Sequence, residues 1–219
     1  MLRVGLTGGV ACGKSTVGGM LERRGAKWID ADNIVHNLFH PGHPVYGEIV
    51  KHFGPDIVTA DGNIDRKKLA DAAFGAGRVR ELNQIVHPAV IAEQDRAMHE
   101  YGANSAGGIA IIEAALIFEA GAAERFDKIV AVTCSREQKI ERFARRHGLD
   151  YAAAEREVDR RMAAQWPDER KASAADFVID NSGSLPQLES QVDRVFHELQ
   201  KAAAAPKSSP QARNSKRET

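Results

Sequence analysis

The residues from Gly8 to Thr16 form a glycine-rich run that contains Gly13, Lys14 and Ser15 in succession. The run fits the pattern G-x-x-x-x-G-K-[ST], in which backbone N–H groups and the positive end of a helix surround an anion. Alternating apolar residues precede it and a helix-forming segment follows it, which is the context that the motif requires. The lysine of the pattern reaches the β- and γ-phosphates of a nucleotide, and the hydroxyl coordinates Mg²⁺. The sequence therefore predicts a nucleotide-phosphate site, against the simpler alternative of a glycine-rich turn.

Two aspartates, Asp30 and Asp32, follow the second predicted strand. In open α/β sheets, ligands bind outside the carboxyl ends of the strands, so we expect these carboxylates near the phosphate loop. Phosphoryl transfer needs a group that orients the attacking hydroxyl and accepts its proton, and a carboxylate placed there would serve. The competing interpretation is an N-cap for the helix that begins at Asn33. Position alone favours neither role.

Glu113 ends the third predicted strand beside the same site. A carboxylate in this place can hold Mg²⁺ directly or through water. The alternative is a buried acid paired with Lys14 or Thr16, and of the two we favour the metal role.

Arginines cluster between the fourth and fifth predicted strands. Arg142 and Arg146 are four residues apart, and Arg160 and Arg161 follow. Arginine forks match phosphate oxygens, and a basic segment that closes over a nucleotide excludes water from the reaction. The alternative is a solvated helix laced with salt bridges, for which four acidic partners are available: Glu141, Glu155, Glu157 and Asp159.

Three histidines, His36, His40 and His43, lie close together in the sequence. Pro41 and Gly42 interrupt the helical pattern between the last two, and no cysteine or acidic ligand accompanies them. We therefore expect no metal site there.

Five short apolar segments predict the strands of a sheet. They are Met1–Leu6, Ala26–Ile29, Gly108–Glu113, Lys128–Cys134 and Asp176–Asp180. Continuous apolar strands that alternate with helices are typical of parallel sheets covered on both faces. The predicted fold class is α/β, a P-loop NTPase-type five-stranded parallel sheet flanked by helices, with a last amphipathic helix over Leu185–Leu199.

The same pattern divides the chain into a core and two insertions. The core comprises residues 1–32, 105–135 and 175–200. Residues 33–104 are helical in pattern with Pro and Gly breaks, which indicates a separate cap or substrate region, the insertion in which we expect the acceptor to bind. Residues 136–174 are helical and basic, which indicates a lid. Residues 201–219, rich in Ala, Ser, Pro and Lys, are expected to form a disordered basic tail.

Composition excludes several classes of protein. The 30 basic residues balance the 30 acidic ones, which argues against a general nucleic-acid binder. No apolar run approaches the ~20 residues of a membrane span, and the first strand leaves no room for a signal peptide. Two cysteines, Cys12 and Cys134, fit a reducing cytoplasm. We expect a cytoplasmic monomer or small homo-oligomer with no membrane or nucleic-acid partner, and Cys12 as a small loop residue rather than an oxidation-sensitive thiol.

From about Arg3 to Val195 the chain resembles the dephospho-coenzyme A kinases. Beyond the phosphate loop, the resemblance depends on the order of several weaker elements rather than on any one of them. They are Gly25–Asp32, Pro41-Gly42, Phe53-Gly54, Asp61–Arg66, Ile85–Pro88, Leu116–Glu119, Arg161–Gln165 and Ala175–Gly183.

The resemblance implies the transfer of the γ-phosphoryl group of ATP to the 3′-hydroxyl of dephospho-CoA, with Mg²⁺ as cofactor. It implies catalytic roles for Asp32 as base, Lys14 and Arg161, and metal roles for Ser15 and Glu113. It implies acceptor contacts for His87, Phe118 and Glu119, although His87 by itself is more typical of a structural residue. The implied ATP-binding residues are Gly8, Gly9, Ala11, Cys12, Gly13, Lys14, Ser15, Thr16, Arg142, Arg146 and Asn181.

The chain departs from the family pattern at three places. Glu113 stands where the family usually has aspartate, Lys139 where we expect glutamine, and Cys12 where serine is common. None of these removes a group that the chemistry requires. The alternative enzyme is another small P-loop kinase that acts on a nucleotide or small-metabolite hydroxyl. A GTP-binding switch is disfavoured because no Asn-Lys-x-Asp motif is present, and a binding module without catalysis is disfavoured by the intact Lys14 and Asp32.

Overall fold

The computed structural model describes residues 1–75, 77–105 and 107–205. The chain divides into two compact units: one comprises Met1–Ile29 and the chain from Tyr101 onward, and the other comprises Asp30–Glu100. Within the described residues, no helix is long and apolar enough to cross a membrane.

A five-stranded parallel sheet forms the centre of the first unit, as the sequence predicts. The strands are β1 (Leu2–Gly8), β2 (Lys27–Asp30), β3 (Ile109–Glu113), β4 (Lys128–Thr133) and β5 (Phe177–Asp180). Their order in the sheet is β2-β3-β1-β4-β5. The register pairs Leu6 with Glu113 and Gly8 with Val132, so the carboxyl ends of β1, β3 and β4 lie at one edge.

Helices cover the sheet. Those of the first unit are α1 (Lys14–Arg23), α6 (Arg136–His147), α7 (Tyr151–Ala163), α8 (Asp168–Ala174) and α9 (Leu185–Ala204). The main core lies between β-strand residues such as Val4 and Val130 and the apolar faces of α1 and α9. On the other face Gly5 leaves room for Ile117 and Phe126, whose side chains a Cβ at this position would meet at 2.8 and 3.0 Å. The alternation of side chains along β1 thus fills both layers.

The second unit is helical. It contains α2 (Ala31–Leu38), α3 (Pro44–Phe53), α4 (Arg66–Phe74) and most of α5 (Val79–Asn104). Its own apolar cluster includes Leu38, Ile49, Ile57, Leu69 and Val86.

One helix extends beyond its predicted limit, and another continues through a proline. α9 ends at Ala204 instead of Leu199, so residues 201–204 of the predicted tail are helical. Alanine and lysine are strong helix formers, and Ala202 and Ala203 pack against the main core, which explains the extension. The expected disorder of residues 206–219 lies outside the described residues. α5 runs through Pro88, and Val86 and Ala89 on either side of the proline belong to the apolar cluster of the second unit.

Candidate active site

The phosphate loop connects β1 to α1, and its backbone needs glycine at two positions. Gly13 caps α1 with φ 95°, and a Cβ there would lie 2.2 Å from Asn181 Nδ2. A Cβ on Gly8, where φ is 149°, would lie 2.2 Å from the backbone oxygen of Val132. The loop therefore closes tightly against β4 and the residue after β5, and its chain can take this path only because these side chains are missing.

Lys14 begins α1, and its ammonium group turns back over the loop. Its Nζ donates to the backbone oxygens of Gly8 at 3.1 Å and Gly9 at 3.0 Å. The cation therefore lies above the segment whose N–H groups and helix N-terminus favour an anion.

The backbone oxygen of Cys12 is the anchor point of the loop. Asn181 Nδ2 donates to it at 2.8 Å and Arg142 Nη1 at 3.4 Å. Arg142 Nη2 also donates to the backbone oxygen of Asn181 at 2.9 Å. The Cys12 side chain is fully buried, and burial raises the pKa of its thiol. A reactive thiolate would need the opposite shift, which supports the reading of Cys12 as a small loop residue.

Glu113 receives hydrogen bonds on both carboxylate oxygens. Ser15 Oγ donates to Oε1 at 2.9 Å, and the indole nitrogen of Trp28 donates to Oε2 at 3.1 Å. Glu113 is only 7% exposed. The structure thus joins Ser15 and Glu113, the two predicted metal ligands. Two oxygen donors side by side suit a hard cation.

A buried ion pair lies against the loop at Gly9. Lys139 Nζ of α6 contacts Asp168 Oδ2 of α8, and their side chains are 2% and 15% exposed. A Cβ on Gly9 would lie 2.6 Å from Asp168 Oδ1 and 3.1 Å from Lys139 Nζ. In the sequence, Lys139 stands out only as a departure from the family pattern, and nothing there indicates Asp168 as its partner.

Helices α6 and α7 pack on the loop through an apolar cluster. Val10 lies with Phe143 of α6 and Val158 of α7. Arg161 stacks on the Phe143 ring at 5.0 Å and donates from Nε to Glu157 Oε1 at 2.7 Å. Hydrogen bonds from Arg160 and Arg161 lower the pKa of Glu157 to about 2. The structure therefore places Arg161 in an ion pair with Glu157 on α7.

Arg146 is exposed on α6 and has no hydrogen bond or ion pair with the described part of the chain. Thr16 is exposed on the first turn of α1. Both side chains are open to a ligand.

Phe118 and Glu119 lie in the turn after β3 and connect it to the chain that leads into α8. The Phe118 ring stacks on Trp166 with centroids 5.4 Å apart. Glu119 Oε1 accepts from the backbone N–H of Trp166 at 2.8 Å and from Lys171 Nζ at 2.9 Å, while its Oε2 is buried without a hydrogen-bond partner among the described residues. The Lys171 side chain is 1% exposed. The contacts of Trp166 and Lys171 with Glu119 could not be predicted from the sequence, because only the fold brings these residues to the turn.

The second unit contains the paired aspartates. Asp30 is the N-cap of α2, and its Oδ1 accepts from the backbone N–H groups of Asp32 at 2.9 Å and Asn33 at 3.4 Å. Asp32 lies exposed in the first turn of α2, and its carboxylate has no hydrogen bond or ion pair within the described segments. Asp30 therefore takes the capping role, and the exposed Asp32 carboxylate is accessible to a ligand.

The histidines of this unit make several different contacts, and the rings of His36 and His40 meet edge to face with centroids 4.8 Å apart. His43 caps α3 through Nδ1, which accepts from the Val45 N–H at 3.2 Å, and His36 Nδ1 is 2.9 Å from Arg66 Nη2. No group of three potential metal-binding side chains occurs among residues 1–75, 77–105 and 107–205. His87 is exposed in the middle of α5.

A parallel sheet in the order β2-β3-β1-β4-β5 with a G-x-x-x-x-G-K-S loop after its central strand defines a P-loop kinase. A family model described as dephospho-CoA kinase matches residues 2–187. The chain therefore belongs to the dephospho-CoA kinase family.

Individual relatives agree over nearly their whole length. The chain is 40% identical to a protein named dephospho-CoA kinase from Aquifex aeolicus, over 91% of this chain and 98% of the relative. It is 39% identical to one from Corynebacterium glutamicum, over 91% of this chain and 100% of the relative. Among solved structures, a Thermus thermophilus protein superposes with a TM-score of 0.73 at 30% identity, covering 90% of this chain and 97% of that one. A dephospho-CoA kinase from Campylobacter jejuni gives a TM-score of 0.65 at 26% identity, covering 91% and 98%.

Proposed function

We propose that this chain transfers the γ-phosphoryl group of ATP to the 3′-hydroxyl of the dephospho-CoA ribose and releases CoA and ADP. The family match over residues 2–187 is the observation that supports the acceptor. The phosphate loop supports the donor, because it combines the glycine turn, Lys14 and Ser15 that a nucleoside triphosphate requires. We expect the reaction to take place in the cytoplasm.

Residues of the loop and of α6 bind ATP in this proposal. The N–H groups of Gly8 to Thr16 surround the phosphates, and Lys14 Nζ contacts the β- and γ-phosphoryl oxygens. Arg142 and Asn181, which both donate to Cys12, hold the loop in shape and lie beside the nucleotide. Arg146 has no partner to give up within the described residues before it reaches a phosphate.

Ser15 and Glu113 fit a magnesium ion. The Ser15 hydroxyl donates its proton to Glu113, so its oxygen lone pairs are available to a cation. When bound, Mg²⁺ would neutralise charge on the β- and γ-phosphoryl oxygens. Few protein ligands are needed, because this ion usually keeps several waters and takes phosphate oxygens.

Asp32 accepts the proton of the acceptor hydroxyl. The 3′-oxygen forms its bond to the γ-phosphorus as the bond to the β–γ bridging oxygen breaks, and ADP leaves with that electron pair. Arg161 leaves Glu157 and stabilises the charge on the transferring group. His87, Phe118 and Glu119 contact the acceptor. The role of Asp32 rests on its position two residues after β2 and on its free carboxylate.

An ADP-release assay tests the acceptor. ATP is supplied with dephospho-CoA, AMP, shikimate or pantothenate in parallel, and we expect dephospho-CoA to be preferred. Preference for any of the other three compounds would support the alternative, a P-loop kinase for a nucleotide or small metabolite.

The substitution Asp32→Asn tests the base. We expect turnover to fall by ~10²-fold or more with ATP binding unchanged, because proton acceptance contributes about that much. Asp30→Asn is the matched control, since asparagine caps a helix as well as aspartate does and the change leaves Asp32 in place. Equal turnover in the two variants would remove Asp32 from this role.

A further inference from the structure

Trp28 contacts the carboxylate that we assign to the magnesium site. Its indole N–H donates to Glu113 Oε2 at 3.1 Å, while Ser15 occupies Oε1. The three residues lie on β2, β3 and α1. Trp28 is partly buried and packs against the main core, which fixes the direction of its N–H. The indole is not a conventional metal ligand, so the hydrogen bond from Trp28 to Glu113 must have a purpose other than direct metal coordination.

Gly18 of α1 makes room for this indole. A Cβ on Gly18 would lie 2.6 Å from both Cε2 and Nε1 of Trp28. A glycine inside a helix is destabilising relative to alanine. The next residue, Gly19, is different, because the nearest atom to a Cβ there is Arg23 Nη1 at 3.8 Å. Gly18 therefore has a steric reason to be glycine, and that reason is Trp28.

We infer that Trp28 is a positioning residue for Glu113, which it holds in the orientation that serves Mg²⁺ through Ser15. The inference rests on the proposed metal role of Glu113. A glutamate side chain loses considerable rotamer freedom when it is fixed. A donor on the oxygen that Ser15 does not use selects one orientation in advance. Outer hydrogen-bond partners of metal ligands act in this way, and their removal typically costs about 10- to 100-fold in metal affinity or activity.

Fluorescence tests the contact without turnover. The chain has two tryptophans, so Trp166→Phe leaves Trp28 as the only indole. In that background, without metal or ATP, Glu113→Gln should shift the emission maximum of Trp28, because it replaces a charged acceptor at the indole nitrogen. An unchanged spectrum would show that the indole and the carboxylate are not in contact, and would overturn the inference.

Magnesium titrations of ADP release test the consequence. The substitution Trp28→Phe keeps an aromatic ring at this position and removes the N–H donor. We expect the Mg²⁺ concentration for half-maximal rate to rise by about 10-fold or more. Gly18→Ala should have the same effect with Trp28 and Glu113 both present, because the added methyl group displaces the indole. Gly19→Ala is the matched control and should leave the Mg²⁺ requirement unchanged.

The outcomes separate this inference from the proposed function. If Glu113→Gln raises the Mg²⁺ requirement and Trp28→Phe does not, the positioning role of Trp28 is wrong and the metal role of Glu113 stands. If Glu113→Gln itself has no effect, the metal role in the proposed function is wrong. If Trp28→Phe lowers only the melting temperature, Trp28 is a packing residue and the inference fails.

Discussion

The ion pair between Lys139 and Asp168 makes a quantitative prediction about stability. Both side chains are nearly buried, with exposures of 2% and 15%. Removing one member of such a pair leaves an uncompensated buried charge and costs about 3–5 kcal/mol. A domain of 150–250 residues loses roughly 2–4 °C of melting temperature per kcal/mol. Lys139→Met should therefore lower the melting temperature by about 6–20 °C.

A charged pair on the surface of the same helix is the control. Arg136 of α6 contacts Asp159 and Glu155, and all three side chains are 39–48% exposed. Each exposed pair contributes about 0–1 kcal/mol and Arg136 makes two of them, so Arg136→Met should shift the melting temperature by less than about 8 °C, below most of the range expected for Lys139→Met. Both variants remove one cation from α6 and introduce the same side chain, so the difference between them reports burial.

The double variant Lys139→Met with Asp168→Leu separates charge from packing. Replacement of both members by apolar groups is often neutral, so the double variant should recover most of the lost stability. The KM for ATP gives a second readout, because Asp168 lies beside Gly9 and an unneutralised carboxylate there repels phosphates. The KM for ATP should rise in Lys139→Met and return to the value of the parent chain in the double variant. Equal melting shifts in Lys139→Met and Arg136→Met, measured by calorimetry, would refute the reasoning.

Two further predictions concern Arg161 and Cys134. Arg161→Ala should lower turnover by about 10²-fold with a melting shift of only a few degrees. The control is Arg160→Ala, which removes the other partner of Glu157 and should leave turnover intact. A collapse of the melting temperature in Arg161→Ala would favour a structural role. Burial raises the pKa of the Cys134 thiol from 9.0 to about 11, so the neutral thiol stabilises the folded chain fully below pH 9 and this contribution is lost as pH rises toward 11. Melting temperatures of Cys134→Ala should therefore fall less steeply over this range than those of the parent chain, and parallel profiles would contradict the shift.

Local signals were sufficient to predict the sheet and the phosphate loop. Each strand is a short apolar run, and the loop motif is contiguous from Gly8 to Ser15. The pattern needs no long-range information, because the strand before it and the helix after it are its only structural context. Helix ends were harder to predict, as α9 shows, since the packing of Ala202 and Ala203 is decided by the fold.

The partners within the site could not be predicted in the same way. Trp28 and Glu113 are 85 positions apart, and Lys139 and Asp168 are 29 apart. Each of these residues has an ordinary explanation by itself: a strand aromatic, a strand-end acid, a helix cation and an acid in a first helical turn. Only the register of β3 and the packing of α6 and α8 bring them together. Which of Asp30 and Asp32 caps α2 also could not be predicted from the sequence, because either residue can cap a helix.

The contacts of Lys14 show how the loop can accept a ligand with little rearrangement. An ammonium group has three donors, and among the described residues two of them are used by the backbone oxygens of Gly8 and Gly9. The third can contact a phosphate oxygen while the first two stay in place, so ligand binding need not break the contacts that position the lysine. A phosphate oxygen carries negative charge and a carbonyl oxygen does not, so an exchange of a carbonyl for a phosphate oxygen would still favour the ligand. Together with the anchored Cys12 carbonyl, this arrangement makes the loop a preformed anion site whose shape is set by its own glycines.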